Sequence, residues 1–149
     1  MKLKIQKIDS SINNSLPFYA TDHASGLDIS SASKNEIILQ PMETKLIPTN
    51  LIVEIPVGFE GQIRPRSGLA IKHNIGIINS PGTIDADYRG ELKILLTNFG
   101  NHTYTVKFCD RIAQLIISKV EKAEIEVNNN LSKTKRDSGG FGHTGINND

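Results

Sequence analysis

The stretch Thr103-Tyr-Thr-Val-Lys-Phe108 decides the fold class: Tyr104, Val106 and Phe108 alternate with Thr103, Thr105 and Lys107. A period of two puts the apolar side chains on one face of an extended chain and the polar ones on the other. The same style runs outward in both directions. Leu3, Ile5 and Ile8 sit among lysines. Short aliphatic runs recur at Glu36-Ile-Ile-Leu, Leu51-Ile-Val-Glu-Ile, Ile75-Gly-Ile-Ile, Leu92-Lys-Ile-Leu-Leu, Ile112-Ala-Gln-Leu-Ile-Ile and Ile125-Glu-Val. Turn signals separate them at Pro41, Pro48, Pro56 with Gly58, Pro65, Pro81-Gly82 and Asn98-Phe-Gly-Asn. Many short strands punctuated in this way predict an all-β sandwich or barrel. One short helix is expected in Ser67-Gly-Leu-Ala-Ile-Lys-His-Asn, where Ser67 is a good N-cap residue.

A chain of 149 residues suits one domain. Lys and Arg number 17 against 16 Asp and Glu, so no strong net field draws in nucleic acid or an acidic membrane. An anionic ligand must then be held by a local cluster of donors. Aromatic residues make up only 5%, with no Trp, a thin supply of large core side chains that a subunit interface could complete. The single cysteine, Cys109, excludes an internal disulfide and any multi-cysteine zinc site. The N-terminus alternates charge and aliphatic residues where a signal peptide needs a continuous apolar stretch. No apolar run approaches the roughly 20 residues of a membrane span. These features predict a soluble protein of a reducing compartment, the cytoplasm.

After Val127 the periodicity stops and Asn, Ser and Gly take over, so residues 1–127 are expected to form the β-domain and 128–149 a flexible, glycine-rich C-terminal arm. Composition alone reads the arm as a disordered terminus. Yet Arg136, Phe141, Gly142 and Thr144 lie close together within it. Arg offers a fork for phosphate, Phe a stacking face, and glycines a close main-chain approach. Ordering about ten residues costs on the order of 10–20 kcal/mol, and one stacked base returns only about 1–3 kcal/mol. The arm is therefore expected to close only over a ligand with several phosphates.

Four other segments could carry chemistry. In Pro65-Arg-Ser-Gly-Leu-Ala70 the amides at a helix start favour an anion, with Arg66 and Ser67 adding donors. In Gly82-Thr-Ile-Asp-Ala-Asp-Tyr-Arg-Gly-Glu91, at a hairpin tip, an acidic residue near phosphates could take a proton from water. Spacing does not choose between Asp85 and Asp87, which share a face in an extended chain. Ser25-Gly-Leu-Asp-Ile29 reads as a simple turn carrying a carboxylate. Asp110-Arg-Ile-Ala-Gln-Leu115 places polar Gln114 in an aliphatic strand, where it needs partners. The four histidines show no metal-ligand spacing, and there is no Walker lysine motif or Rossmann fingerprint.

Together and in this order, these segments and Arg136-x-x-Gly-Gly-Phe-Gly-x-Thr-Gly resemble the five motifs of the trimeric dUTPase family. The resemblance spans about residues 25 to 145 and implies a distorted, jelly-roll-like barrel of the β-clip type. It implies hydrolysis of dUTP to dUMP and pyrophosphate with Mg2+, limiting uracil in DNA and supplying dUMP for thymidylate synthesis. It also implies a homotrimer with active sites between subunits. By position, Asp85 matches the general base that deprotonates the water attacking the α-phosphorus. Tyr88 matches the aromatic packed on the deoxyribose. The hairpin from Asn79 to Lys93 matches the uracil pocket, lined by main chain around Thr83, Ile84 and Asp85. Arg66, Ser67 and Gly68 match the phosphate-binding turn, and Gln114 a residue on the phosphate and water side. Asp28 matches a carboxylate reaching magnesium through water. Arg136, Phe141, Gly142 and Thr144 match the arm that closes over another subunit's site.

Two departures stand out: Asp137 and Cys109 occupy positions where the family usually has glycine. Rival readings are a dCTP deaminase-like enzyme of the same superfamily and a catalytically idle nucleotide-binding module. The proposed chemistry requires Asp85 to face a cavity and to lie near Arg66 and Ser67.

Overall fold

The computed structural model describes residues 1–140. Twelve strands and one helix follow in order among them: β1 Lys4–Lys7, β2 Phe18–Tyr19, β3 Leu27–Ser30, β4 Ile37–Leu39, β5 Thr44–Ile47, β6 Leu51–Glu54, β7 Phe59–Arg64, α1 Ser67–His73, β8 Ile75–Ile77, β9 Gly82–Ile84, β10 Ile94–Asn98, β11 Tyr104–Val106 and β12 Arg111–Lys119. All pairings are antiparallel. The largest sheet runs β2-β3-β12-β7-β9, a second runs β5-β10-β8, and two-stranded ribbons join β1 to β6 and β11 to β4. The all-β expectation with one short helix holds.

Alternation does what the sequence predicts. On β6, Leu51 and Val53 are buried while Ile52 and Glu54 are not; on β10, Ile94 and Leu96 are buried around the partly buried Leu95. The buried apolar core of the described residues is wholly aliphatic, with Ile29, Leu39, Ile47, Ile94, Leu96 and Leu115 among its largest members. That fits the scarcity of aromatics. Gly61 on β7 allows this packing, since a Cβ there would meet Ile55 and Leu115 at 2.9 Å.

Two expectations are corrected. Ser67 is the first helical residue and not the N-cap; Arg66 takes the cap with extended φ and ψ and no side-chain capping bond. The helix ends at Asn74, whose left-handed conformation (φ 54°) closes it by accepting no further turn. Ile125-Glu-Val127 forms no strand: β12 stops at Lys119, and Ile125 and Val127 are 89% and 92% exposed. Among the described residues no strand lies alongside to pair with it or to cover its apolar side chains.

The connection from Asn79 to Lys93 is also more than a hairpin. Its flanks β8 and β10 pair with each other, Leu96 opposite Ile77, while β9 between them pairs with β7, Thr83 opposite Gln62. The loop is thus held by two different sheets.

Candidate active site

Asp28 and Gln114 are direct partners across β3 and β12, and Gln114 is also opposite Arg64 on β7. Cross-strand partners share a face, so Gln114 donates from Nε2 to Asp28 Oδ1 at 3.3 Å. Arg111 lies three positions before Gln114 and would point to the other face in a regular strand. A β-bulge between Arg111 and Ala113 corrects the parity. Two successive residues, Ile112 and Ala113, face the core, and the Arg111 guanidinium reaches Asp28 Oδ2 at 2.9 Å. Arg66 approaches from beyond β7, its Nε 3.5 Å from Asp28 Oδ1 and its Nη1 donating to the Arg111 carbonyl at 3.0 Å. Asp28 is 3% exposed and the only charged residue among the buried ones described. The expectation of a simple turn fails here. Asp28 sits inside β3, and its burial is made tolerable by three donors.

Ser67 and Gly68 follow Arg66 at the start of α1 and are exposed. The first amides bonded back to Arg66 are those of Leu69 and Ala70, at 3.0 and 3.1 Å. The amides of Ser67 and Gly68 precede them and are free of helical acceptors, as at any helix start. Tyr104 packs nearby, its ring 5.2 Å from that of His73. Burial pushes its phenol above the usual value, Asp110 adds to this, and Arg66 partly offsets it.

A second constellation surrounds a cavity of about 420 Å³ lined by Leu46, Thr83, Ile84, Asp85, Tyr88, Glu91 and Lys93. Among the described residues β9 is an edge strand that pairs only with β7, so its outer edge presents N–H and C=O groups with no strand partner beside this cavity. Of the two acids at the tip, Asp85 lines the cavity. Asp87 lines a separate hollow of about 660 Å³, with Phe59, Glu60, Arg89 and Lys122, that Asp85 also borders. Tyr88 bends over Gly90, where any Cβ would collide with the phenol hydroxyl, and donates to the Glu91 carbonyl at 3.1 Å. Lys93 Nζ is 3.5 Å from Glu91 Oε2. Asn79 is outside this lining and packs its amide over Gly82.

The two constellations do not meet within one chain. Ile84 is opposite Gly61, so Asp85 lies toward the start of β7, whereas Arg66 lies past its end. Five residues at about 3.3 Å each separate Gly61 from Arg66 by roughly 17 Å. The expectation that Asp85 lies near Arg66 and Ser67 therefore fails for a single copy. Antiparallel pairing of β9 with β7 sends the two segments in opposite directions.

Arg136 turns back on itself, donating from Nε to the Gly139 carbonyl at 2.8 Å. Phe141, Gly142 and Thr144 lie outside the described residues. Cys109 and Asp137 both have positive φ, 63° and 43°. That is the backbone region in which glycine carries no steric cost. Arg111, Gly90 and Glu91 lie within the candidate segments, but the sequence assigns them no role; only the bulge, visible in three dimensions, brings Arg111 to Asp28.

Among the described residues no three His, Cys, Asp or Glu side chains come together as a metal cage. A lone carboxylate fits magnesium only as an ion that stays hydrated and is carried mainly by phosphates.

A dUTPase family pattern matches residues 13–145. The chain is 49% identical to the deoxyuridine 5'-triphosphate nucleotidohydrolase of Rickettsia akari, over 97% of each chain. It is 51% identical to that of Cytophaga hutchinsonii, over 93% of this chain and 90% of that one. The fold superimposes on Staphylococcus bacteriophage 80alpha dUTPase with dUPNHPP at a TM-score of 0.87 and 26% identity, covering 97% and 99% of the two chains. A variant of the phage phi11 dUTPase, whose structure reveals the coordination of a structural Mg(II) ion, matches at 0.80 and 25% identity, covering 89% and 100%. With its jelly-roll-like β-fold and the motif residues gathered into two constellations, this chain belongs to the dUTPase family.

Proposed function

We propose that the chain hydrolyses dUTP to dUMP and pyrophosphate, with Asp85 accepting a proton from the water that attacks the α-phosphorus. The observation that carries this reading is the shared cavity of Thr83, Ile84, Asp85 and Tyr88 beside an unpaired strand edge. Free main-chain donors and acceptors suit the edge of uracil, and the reversed pattern at position 4 of cytosine does not match them. Tyr88 forms the wall against which a deoxyribose packs and a 2′-hydroxyl would clash. Asp85 then needs only to be within reach of a water near the innermost phosphate. Asn79 supports the turn entering the pocket, and Lys93 closes its rim.

The phosphate half consists of Arg66, Ser67, Gly68 and Gln114. Phosphoryl transfer calls for charge neutralisation and in-line positioning more than covalent help. Bound with the triphosphate, magnesium would supply positive charge, and Asp28 would reach it through water only by giving up part of its pairing with Arg66 and Arg111. The placement of Asp85 and Arg66 toward opposite ends of β7 supports a homotrimer in which one copy contributes the base pocket and a neighbour the phosphate turn. Residues 128–149 would form the arm, with Arg136, Phe141, Gly142 and Thr144 closing over the nucleotide in a neighbouring site. No described helix is long and apolar enough to cross a membrane. With a lone free cysteine, a cytoplasmic location suits the activity, which would limit uracil in DNA and supply dUMP for thymidylate synthesis.

The test is pyrophosphate release from dUTP, dCTP, dTTP and UTP, with and without magnesium. Release from dUTP alone, dependent on magnesium, is expected. Ammonia from dCTP without pyrophosphate from dUTP, or binding of dUTP without turnover, would overturn the proposal.

A further inference from the structure

Glu91 ends the loop that carries Asp85 and Tyr88, and its side chain faces inward at 19% exposure. Its Oε1 accepts two main-chain amides from across the fold, those of Thr49 at 3.2 Å and Asn50 at 2.9 Å. The turn it grips is rigid. Asn50 is 4% exposed, has φ 60°, and uses its side chain to bond both the amide and the carbonyl of Asp9 and the Asn14 side chain. Thr49 Oγ1 donates to the Leu92 carbonyl, and the Leu92 amide donates to Leu51 at 2.8 Å. On the pocket side, the Glu91 carbonyl receives the Tyr88 hydroxyl at 3.1 Å, and Lys93 lies 3.5 Å from the free carboxylate oxygen. One residue therefore connects a buried, fully bonded turn to the ring that forms the pocket wall.

We infer that Glu91 is a positioning residue for sugar discrimination: by holding residues 90–92 against the Thr49–Asn50 turn it fixes the orientation of Tyr88, and so the preference for a deoxyribonucleotide over a ribonucleotide. The inference rests on the dUTP-hydrolysing reading and deepens it. Glu91 borders the same cavity as Asp85 and Tyr88 but has no part in the proposed proton transfer. Its loss acts on the fit of the sugar and leaves the proton transfer at Asp85 in place.

The experiment compares kcat and KM for dUTP and UTP in the wild-type chain, Glu91→Ala and Glu91→Gln, with magnesium present. Two charge-assisted bonds are lost in Glu91→Ala, so the dUTP over UTP preference should fall about tenfold. The fall should come through KM for dUTP, with kcat within a few-fold. Glu91→Gln keeps an amide oxygen for the Thr49 and Asn50 amides and should restore most of the preference. Val106→Ala, a buried change on β11, controls for lost stability alone and should leave the preference untouched. Should Glu91→Ala fail to fold, Glu91→Asp, which withdraws the carboxylate by one methylene, carries the same comparison. An unchanged preference in a folded Glu91 variant, or an equal fall in Val106→Ala, overturns the inference while dUTP hydrolysis stands. A wild-type chain that releases no pyrophosphate from dUTP overturns the enzyme reading first and this one with it.

Discussion

Arg111 and Asp28 form an ion pair at 2.9 Å although they lie on different strands and, without the bulge in β12, would face opposite sides of the sheet. Asp28→Ala leaves Arg66 and Arg111 facing each other with no carboxylate between them. A fully buried pair broken in this way costs about 3–5 kcal/mol. Because the Arg111 side chain is 46% exposed, solvent takes up part of the loss, and about 1–3 kcal/mol is expected. Urea unfolding checks this; a midpoint within error of wild type would mean the pair is idle.

Asp85 and Asp87 are separable by their surroundings. Asp85→Asn should lower kcat by about 10²–10⁴ while binding a non-hydrolysable dUTP analogue nearly as well. Asp87→Asn, altering the neighbouring hollow, should stay within a few-fold of wild type. The reverse pattern would assign the proton to Asp87.

Gly90→Ala puts a methyl group where the Tyr88 hydroxyl now sits. The ring must swing away, so KM for dUTP should rise about tenfold and discrimination against UTP should weaken, as single well-placed contacts are worth about 1–3 kcal/mol. Steady-state kinetics with both nucleotides decide it, and unchanged constants would remove Tyr88 from the sugar wall.

Cys109→Gly should stabilise the fold. A left-handed conformation costs a residue bearing a Cβ about 1–2 kcal/mol, and the extra freedom of glycine when unfolded returns about 0.5–1 kcal/mol of that. A net gain of roughly 0.5–1 kcal/mol is expected from these two terms. Thermal and urea unfolding should both shift upward; a downward shift would mean that the thiol has packing worth more than the backbone relief.

Since the chain has no Trp, Phe141→Trp gives the arm a single indole reporter. Its emission should change with a non-hydrolysable dUTP analogue and much less with dUMP, because closure needs several phosphate contacts to offset the ordering of the arm. Equal responses to the two ligands would contradict closure driven by the triphosphate.

Alternation marked strands, as at Leu51–Val53 and Tyr104–Val106, but its reach was overstated at Phe108, which lies beyond β11 and is 41% exposed. The short helix was legible too, though its cap was not: Arg66 takes an extended conformation for which its side chain gives no signal. β7 leaves little mark in the sequence because Gly61 interrupts its core-facing positions Phe59 and Ile63, so no aliphatic run forms between polar Glu60, Gln62 and Arg64. The pocket residues were visible as a motif, and the choice of Asp85 over Asp87 needed the resemblance. The roles of Arg111 and Glu91 are not legible for a shared reason. Each acts through a partner more than forty positions away, brought close by a bulge or a buried turn that local pattern does not encode.

The placement of Asp85 and Arg66 toward opposite ends of β7 has a genetic consequence. If the site forms between copies as proposed, Asp85→Asn and Arg66→Ala should each lose activity, and a mixture of the two unfolded and renatured together should regain part of it. Some junctions would then combine an intact half from each parent. Complementation between dead alleles is what a strand that keeps its own acid and its own arginine apart makes possible.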